Sequence, residues 1–283
     1  MEKKVTISVD STADLTNSEV EKYDFKIIPN GIVIGGEFKS DADVTVEDIY
    51  RAIEDENDKP KTNAALEIDY RRVFEDGTAN GGSVLHFGLG GKLSTSLANA
   101  QRAAKDFERV YVIDAKTVSF GIAILAIKAH QMVVDGLGVE EIVSRVESLR
   151  DRLTVSFLMN DLKFLHRGGR VSGMKLLGAN LLKIRPTIDF DKEGAMIPGK
   201  KFKGNYATAA RDYVKFRLSK NPNANKDEAY LCYTETDPAI PAQVEADLRA
   251  AGFKNVEHHK IGPAVAIHTG RCALGIFMFN DVE

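Results

Sequence analysis

Apolar and polar positions along this chain switch repeatedly between a period of two and a helical period, and the switches mark its elements. Residues 5–9 are a β-rich apolar run ending at Asp10-Ser11-Thr12, which predicts a strand. Thr16 or Asn17 caps a short helix, and 25–28 and 31–34 read as extended. Thr45-Val46-Glu47-Asp48 is a capping box opening a helix to about Glu56. Asn57-Asp58-Lys59-Pro60 stops it, and Lys61-Thr62-Asn63 reads as a loop. A helix over 66–75 ends at Gly77, a buried strand covers 83–87, and Gly88-Leu89-Gly90-Gly91 forms the turn after it. Ala98, Ala100, Ala103 and Ala104 lie at helical spacing within 94–107. A strand over 110–113, a buried helix over 119–134 and a helix over 139–150 follow. This repeated strand-then-helix order predicts a mainly parallel sheet covered by helices.

The order then changes. A strand over 155–159 and a short helix over 161–166 precede a hairpin of 185–191 and 195–202 about a Lys192-Glu193-Gly194 turn. A helix over 207–218, a strand over 230–233, a helix over 241–251 and strands near Val265 and Ile276 complete the pattern. The expected fold is α/β in two domains. Residues 1–154 carry the parallel sheet, and residues 155–283 form an α+β domain with a mixed or antiparallel sheet.

Composition changes this picture little. With 283 residues, 43% hydrophobic and 28% charged, the chain suits two ordinary globular domains. A net charge of −3 gives no global field to recruit nucleic acid or an anionic membrane, so any anion site is local. Cys232 and Cys272 have neither CxxC pairing nor metal-ligand spacing, which fits a reducing compartment. The apolar run at the N-terminus is too short for a signal peptide. The most apolar stretch, 120–134, is interrupted by Lys128, His130 and Gln131 and falls short of the roughly 20 apolar residues a bilayer span needs. The expected address is the cytoplasm, with no stable membrane insertion and a monomer as the default.

Ligands of open parallel sheets bind beyond the carboxyl ends of the strands. Three hydroxyl-rich loops qualify: 10–14, 88–96 and 114–117. The second opens a helix, so its free amides and Ser94 are placed to face an anion, although a plain helix cap is the commoner role of such a serine. Gly91-Lys92 lacks the rest of a phosphate-binding loop, and no dinucleotide fingerprint, G-x-S-x-G elbow or H-E-x-x-H is present. The densest cationic run is Lys163 to Arg170, where Gly168-Gly169 permit an unusual backbone path between arginines. One such cluster in a mildly acidic chain suits a small anion or an acidic protein partner better than nucleic acid. His268 sits among apolar residues before Gly270 and suits a structural or a functional role equally.

Together these segments resemble the DegV family of fatty-acid-binding proteins, the acyl-carrier subunits of bacterial fatty acid kinase systems. The resemblance runs in order through Asp10-Ser11-Thr12-Ala13-Asp14-Leu15, Thr62, Leu93-Ser94, Val112-Ile113-Asp114 and Ser119-Phe120-Gly121. It continues through Leu162 to Gly173, Lys183-Ile184-Arg185-Pro186, Gly262-Pro263 and His268-Thr269-Gly270, with Arg167-Gly168-Gly169-Arg170 the most specific part. The resemblance implies two α/β domains, a long-chain fatty acid buried in one of them with its carboxylate at the interface, and no cofactor. By position, Ser94 and Thr62 hydrogen-bond the carboxylate, with Thr95 beside them, while His268 and Arg170 support the network from the second domain. It also implies that the chain performs no covalent step. It presents the carboxylate to a separate ATP-dependent kinase subunit, for which Arg167 and Lys203 form a docking face.

Departures from the family pattern gather at the head-group end. Thr95 stands where a glycine is usual, Asn63-Ala64-Ala65 where a Ser-Gln-Pro-like run is common, Ala115 for a serine, and Arg271-Cys272 for Pro-Gly. They imply a divergent member with an altered head-group or chain preference, in which Arg271 either adds a cation at the carboxylate or points to solvent. Two other functions compete. One is an acyl hydrolase with Ser94 as nucleophile and His268 as base; the other is a regulatory protein that uses a lipid only to stabilise its fold.

Overall fold

The computed structural model describes residues 4–55, 58–170 and 184–281. Contacts divide the chain into two compact units. The first comprises residues 1–151 with 192–195 and 262–264; the second takes the rest.

In the first unit the chain runs β1 (Val5–Asp10), α1 (Asn17–Tyr23), β2 (Lys26–Ile28), β3 (Gly31–Ile34), β4 (Glu37–Ser40), α2 (Val46–Glu54) and β5 (Lys61–Asn63). It continues through α3 (Glu67–Thr78), β6 (Ser83–Gly88), α4 (Ser96–Ala104), β7 (Val110–Asp114), α5 (Phe120–Val134) and α6 (Val139–Arg152). The capping box expected at Thr45 forms in full, and a second forms at Thr16. Thr16 accepts from the Glu19 amide at 3.3 Å and Thr45 from the Asp48 amide at 3.1 Å, each acid reaching back to its partner's amide.

The main sheet is parallel throughout, in the order β2-β1-β6-β7. Every residue of β6 is buried, as expected of a strand covered on both faces. A separate antiparallel sheet, β4-β3-β5, includes residues 61–63, which the sequence reading assigns to a loop; here Thr62 pairs with Ile32. Helix α3 runs past Gly77 to Thr78, whose hydroxyl donates to the Phe74 carbonyl at 2.7 Å. Residues 120–126 of α5 are buried without interruption, so this is an interior helix. Among the described residues no helix is long and apolar enough to cross a membrane.

The second unit adds β8 (Leu153–Leu158), α7 (Lys163–Arg167), β9 (Ile184–Phe190), β10 (Met196–Lys203), α8 (Tyr206–Lys220) and β11 (Glu228–Tyr233). Then come α9 (Ala239–Ala250), β12 (Asn255–Lys260), α10 (Pro263–Thr269, whose first two residues are counted with the first unit) and β13 (Leu274–Phe279). Its six-stranded sheet has the order β10-β9-β8-β13-β11-β12, antiparallel except for the β11–β12 pair. The mixed sheet agrees with the sequence reading. The strand expected near Val265 does not form, because Pro263 opens helix α10 there. Helix α8 is pinned to β8 by two phenols: Tyr213 donates to the Ser156 carbonyl at 2.6 Å and Tyr206 to that of Leu158 at 3.1 Å.

Three carboxyls close the end of β1 in the first unit. Asp10 is fully buried and accepts from the Tyr70 hydroxyl at 2.6 Å; burial pushes its pKa up to about 6. Burial likewise holds Asp41 at about 6, against the opposing bond from Ser11. Asp14, in left-handed backbone, is pushed up to about 7 by burial, although Ser119 donates to it at 2.5 Å and the Gly262 amide also does.

A raised carboxyl keeps its proton in the folded state while the unfolded chain releases it, so its contribution to stability declines as pH rises from about 4 to about 7. Asp14→Asn removes that slope and leaves the other titrating groups in place. Urea denaturation at pH 5 and pH 7.5 is expected to show a flatter pH dependence in the variant, by up to about 1.4 kcal/mol per pH unit. Identical slopes would show that Asp14 is ionised in the folded chain at both pH values.

Candidate functional site

In the first unit, β6 ends at Gly88 and α4 begins at Ser96, so residues 89–95 form the loop at the carboxyl end of a central parallel strand. Four of its amides are not free, contrary to the sequence reading. Leu89 N donates to Asp10 Oδ2 at 2.8 Å, Gly90 N to the Thr117 carbonyl at 3.0 Å, Gly91 N to Asp114 Oδ1 at 3.3 Å and Leu93 N to the Gly90 carbonyl at 2.8 Å. The loop is fastened by its backbone to the ends of β1 and β7. Side-chain hydroxyls become the candidate donors instead.

Ser94 is half-buried. Its Oγ lies 3.0 Å from Ser96 Oγ and accepts the Ser96 amide at 3.1 Å. It therefore does part of a helix cap's work, while Thr95, at the N-cap position itself, makes no side-chain cap bond and is exposed. Thr62 is half-buried in β5. Between these two segments lies Ser96, fully buried, accepting the Ala65 amide at 3.3 Å and donating to Asn30 Oδ1 at 3.2 Å. Asn30 in turn donates its main-chain and side-chain N–H groups to Ser11 Oγ, each at 3.0 Å, and Ser11 donates to Asp41.

Ser94 and Thr62 are legible from the sequence. Asn30, Asp41, Tyr70 and the role of Ser96 are not, since each comes from a different element and no local motif joins them. Deeper in the unit, burial holds His86 neutral, with its pKa pushed down to about 3; its Nδ1 lies 3.0 Å from Ser8 Oγ.

The second unit carries the other predicted residues. His268 lies on α10, half-buried, with its pKa pushed down to about 3 by burial and then by the charge of Arg170. Its ring sits against Gly168, where a Cβ would come within 2.3 Å of Nδ1. Gly168 has right-handed helical backbone (φ −74°), so its missing side chain makes room for the imidazole rather than permitting an unusual path. Only Gly169 of the pair has positive φ, 72°. Gly270 makes the matching contact on Phe164, whose ring a Cβ would approach to 2.4 Å.

Arg170 is half-buried and turns back to donate to the Gly168 carbonyl at 2.5 Å; burial lowers its pKa below the ordinary arginine value. Arg167 is exposed, its guanidinium carbon 5.8 Å from the centre of the Phe164 ring, and Lys163 stacks on the same ring at 4.6 Å. Lys203 is exposed at the end of β10. Arg271 pairs with Glu235, so its charge has a partner within its own unit. Val171, Ser172, Gly173 and Lys183, parts of the predicted motifs, lie outside the described residues. Among the described residues no group of three or more His, Cys, Asp or Glu side chains could hold a metal ion.

Comparison with known proteins accounts for nearly the whole chain. Residues 4–281 match the family described as "Uncharacterised protein, DegV family". A DegV domain-containing protein of Caldanaerobacter subterraneus subsp. tengcongensis is 26% identical over 279 residues, covering 97% of this chain and 98% of that protein. Among solved structures, a DegV family protein from Thermus thermophilus described by its fatty acid binding superposes with a TM-score of 0.90 at 25% identity, covering 98% of this chain and 100% of the other. A DegV lipid-binding protein from Thermotoga maritima gives 0.84 at 26% identity, covering 98% of each chain. Family match, sequence relatives and fold agree: the chain belongs to the DegV family.

Proposed function

We propose that the chain carries a fatty acid, buries its acyl tail, holds its carboxylate with hydroxyl and cationic side chains, and presents it to a separate ATP-dependent kinase. The observation that carries this reading is the whole-chain likeness, at a TM-score of 0.90, to the Thermus thermophilus protein described by its fatty acid binding.

The chemistry of the assigned residues suits such a ligand. A carboxylate is acceptor-only, and leaving it unpaired in an apolar setting is costly. Hydrogen bonds to a charged group contribute about 1.5–3 kcal/mol each. Ser94 and Thr62 are the donors of the first unit, and Thr95 lies beside them. In the second unit Arg170 supplies charge, while His268, neutral near pH 7, donates through a ring N–H. Burial of the tail contributes about 0.8 kcal/mol per methylene, which makes chain length a strong determinant of affinity. Covalent chemistry belongs to the kinase. The described hydrogen bonds of Ser94 both go to Ser96, which is no general base. Exposed Arg167 and Lys203 form the docking face for the kinase.

Titration of the delipidated chain with oleate tests the carboxylate assignment. Ser94→Ala, and separately His268→Ala with Arg170→Ala, are expected to weaken binding by about 10- to 100-fold while the fold is retained. Wild-type affinity in both variants would place the head group elsewhere. Arg167→Glu with Lys203→Glu is expected to leave oleate affinity intact and to slow acyl-phosphate formation by a fatty acid kinase, most strongly at low salt. An unchanged rate would remove the docking assignment.

A further inference from the structure

We infer that Ser96, which the carrier reading does not place on the ligand, is a positioning residue that sets the Ser94 and Thr62 hydroxyls relative to one another and serves as the resting acceptor of the Ser94 proton. The inference rests on that reading and adds to it a determinant in the fully buried layer beneath the two hydroxyls.

Ala65 is held to α4 through both of its backbone polar groups. Its amide donates to Ser96 Oγ at 3.3 Å, and its carbonyl accepts from Asn99 Nδ2 at 2.7 Å. Ser96 and Asn99 occupy the first turn of α4, so one helical turn grips the peptide at Ala65 from both sides. Thr62 lies three residues before Ala65 and Ser94 two residues before Ser96. The Ala65 clamp therefore fixes the distance between two hydroxyls that come from elements far apart in sequence. Ser96 and Ala65 are both essentially inaccessible to solvent, and Asn30 ties the same point to the connection between β2 and β3.

Proton counting supplies the direction. A serine hydroxyl has one proton and two acceptor positions. The Ser96 proton goes inward, to Asn30 Oδ1 at 3.2 Å. Asn30 cannot turn over to donate at that point, because its N–H groups are held by Ser11 Oγ and Ser11 is committed to Asp41. Ser96 Oγ thus acts as an acceptor toward both Ala65 and Ser94. Ser94 is the donor of the serine pair, and the Ser96 amide, bonded to Ser94 Oγ at 3.1 Å, polarises its O–H. When a carboxylate arrives, one proton turns from a neutral oxygen to a charged one, the stronger acceptor, and no other bond of the network has to change.

The test uses oleate with a 13C-labelled carboxyl and four variants of the full chain: Ser96→Ala, Ser96→Thr, Asn99→Ala and Ser94→Ala. Ser96→Ala and Asn99→Ala are expected to weaken oleate roughly tenfold each, as loss of alignment of one hydrogen bond does. Ser96→Ala should also shift the carboxyl 13C signal, and Ser96→Thr, which keeps the hydroxyl, should restore both affinity and signal. A purely structural Ser96 would lower the melting temperature without moving the signal of bound oleate. The inference is overturned if Ser94→Ala weakens oleate while Ser96→Ala and Asn99→Ala bind it with wild-type affinity and an unshifted carboxyl signal. Should Ser96→Ala fail to fold, the Asn99→Ala and Ser96→Thr results decide. If the wild-type chain does not bind oleate, or Ser94→Ala binds it unchanged, the carrier reading of this site falls first and the role of Ser96 falls with it.

Discussion

Polar groups buried at the carboxyl ends of β1 and β6 must find partners inside the protein, and the arrangement of the first unit follows from that requirement. Two central parallel strands bury Ser8, Asp10 and His86 with no access to water. Each such group is expensive unless hydrogen-bonded. Asp10 therefore takes the Tyr70 hydroxyl from α3 and the Leu89 amide from the following loop, and Ser96 draws on Ala65 and Asn30. These bonds join segments that the sequence separates by dozens of residues. The same requirement explains why the loop after β6 turns its amides inward and offers hydroxyls as candidate donors.

The second unit meets a steric requirement instead. His268 and Phe164 lie where Gly168 and Gly270 have no side chains, so an imidazole and an aromatic ring occupy space that any larger residue would take. Alanine at Gly168 would meet Nδ1 at 2.3 Å, which the His268 ring could relieve only by moving. The Arg-Gly-Gly-Arg run is thereby tied to the orientation of His268. That coupling accounts for a motif whose residues otherwise have unrelated environments, Arg167 exposed on Phe164 and Arg170 folded back on Gly168.

Much of this was legible in the sequence, and the exceptions have physical reasons. The parallel order of the first sheet follows from alternating apolar strands and helices, and the Thr45 capping box was readable because its residues sit three apart, whereas at Thr16 only the cap residue was offered, beside Asn17. Strand β5 was not, since Lys61-Thr62-Asn63 has no apolar alternation and exists through its pairing with β3. In β12 only Val256 is buried, so periodicity does not announce that strand either. Around Val265 a short apolar run suits strand or helix equally, and Pro263 decides it. At the candidate site, Ser94 and Thr62 were visible as hydroxyls in family-like segments, whereas Asn30, Asp41 and Ser96 acquire meaning only through long-range bonds. Ala65 supplies a backbone N–H to Ser96 that a proline at that position would lack.

The proposed function requires that this chain hold a fatty acid. Denaturing extraction of the purified protein, followed by mass spectrometry of the extract, tests it most directly. One long-chain fatty acid per chain is the predicted result, and its identity would also give the chain-length preference. An extract without fatty acid, from protein that also fails to take up added oleate, would contradict the account.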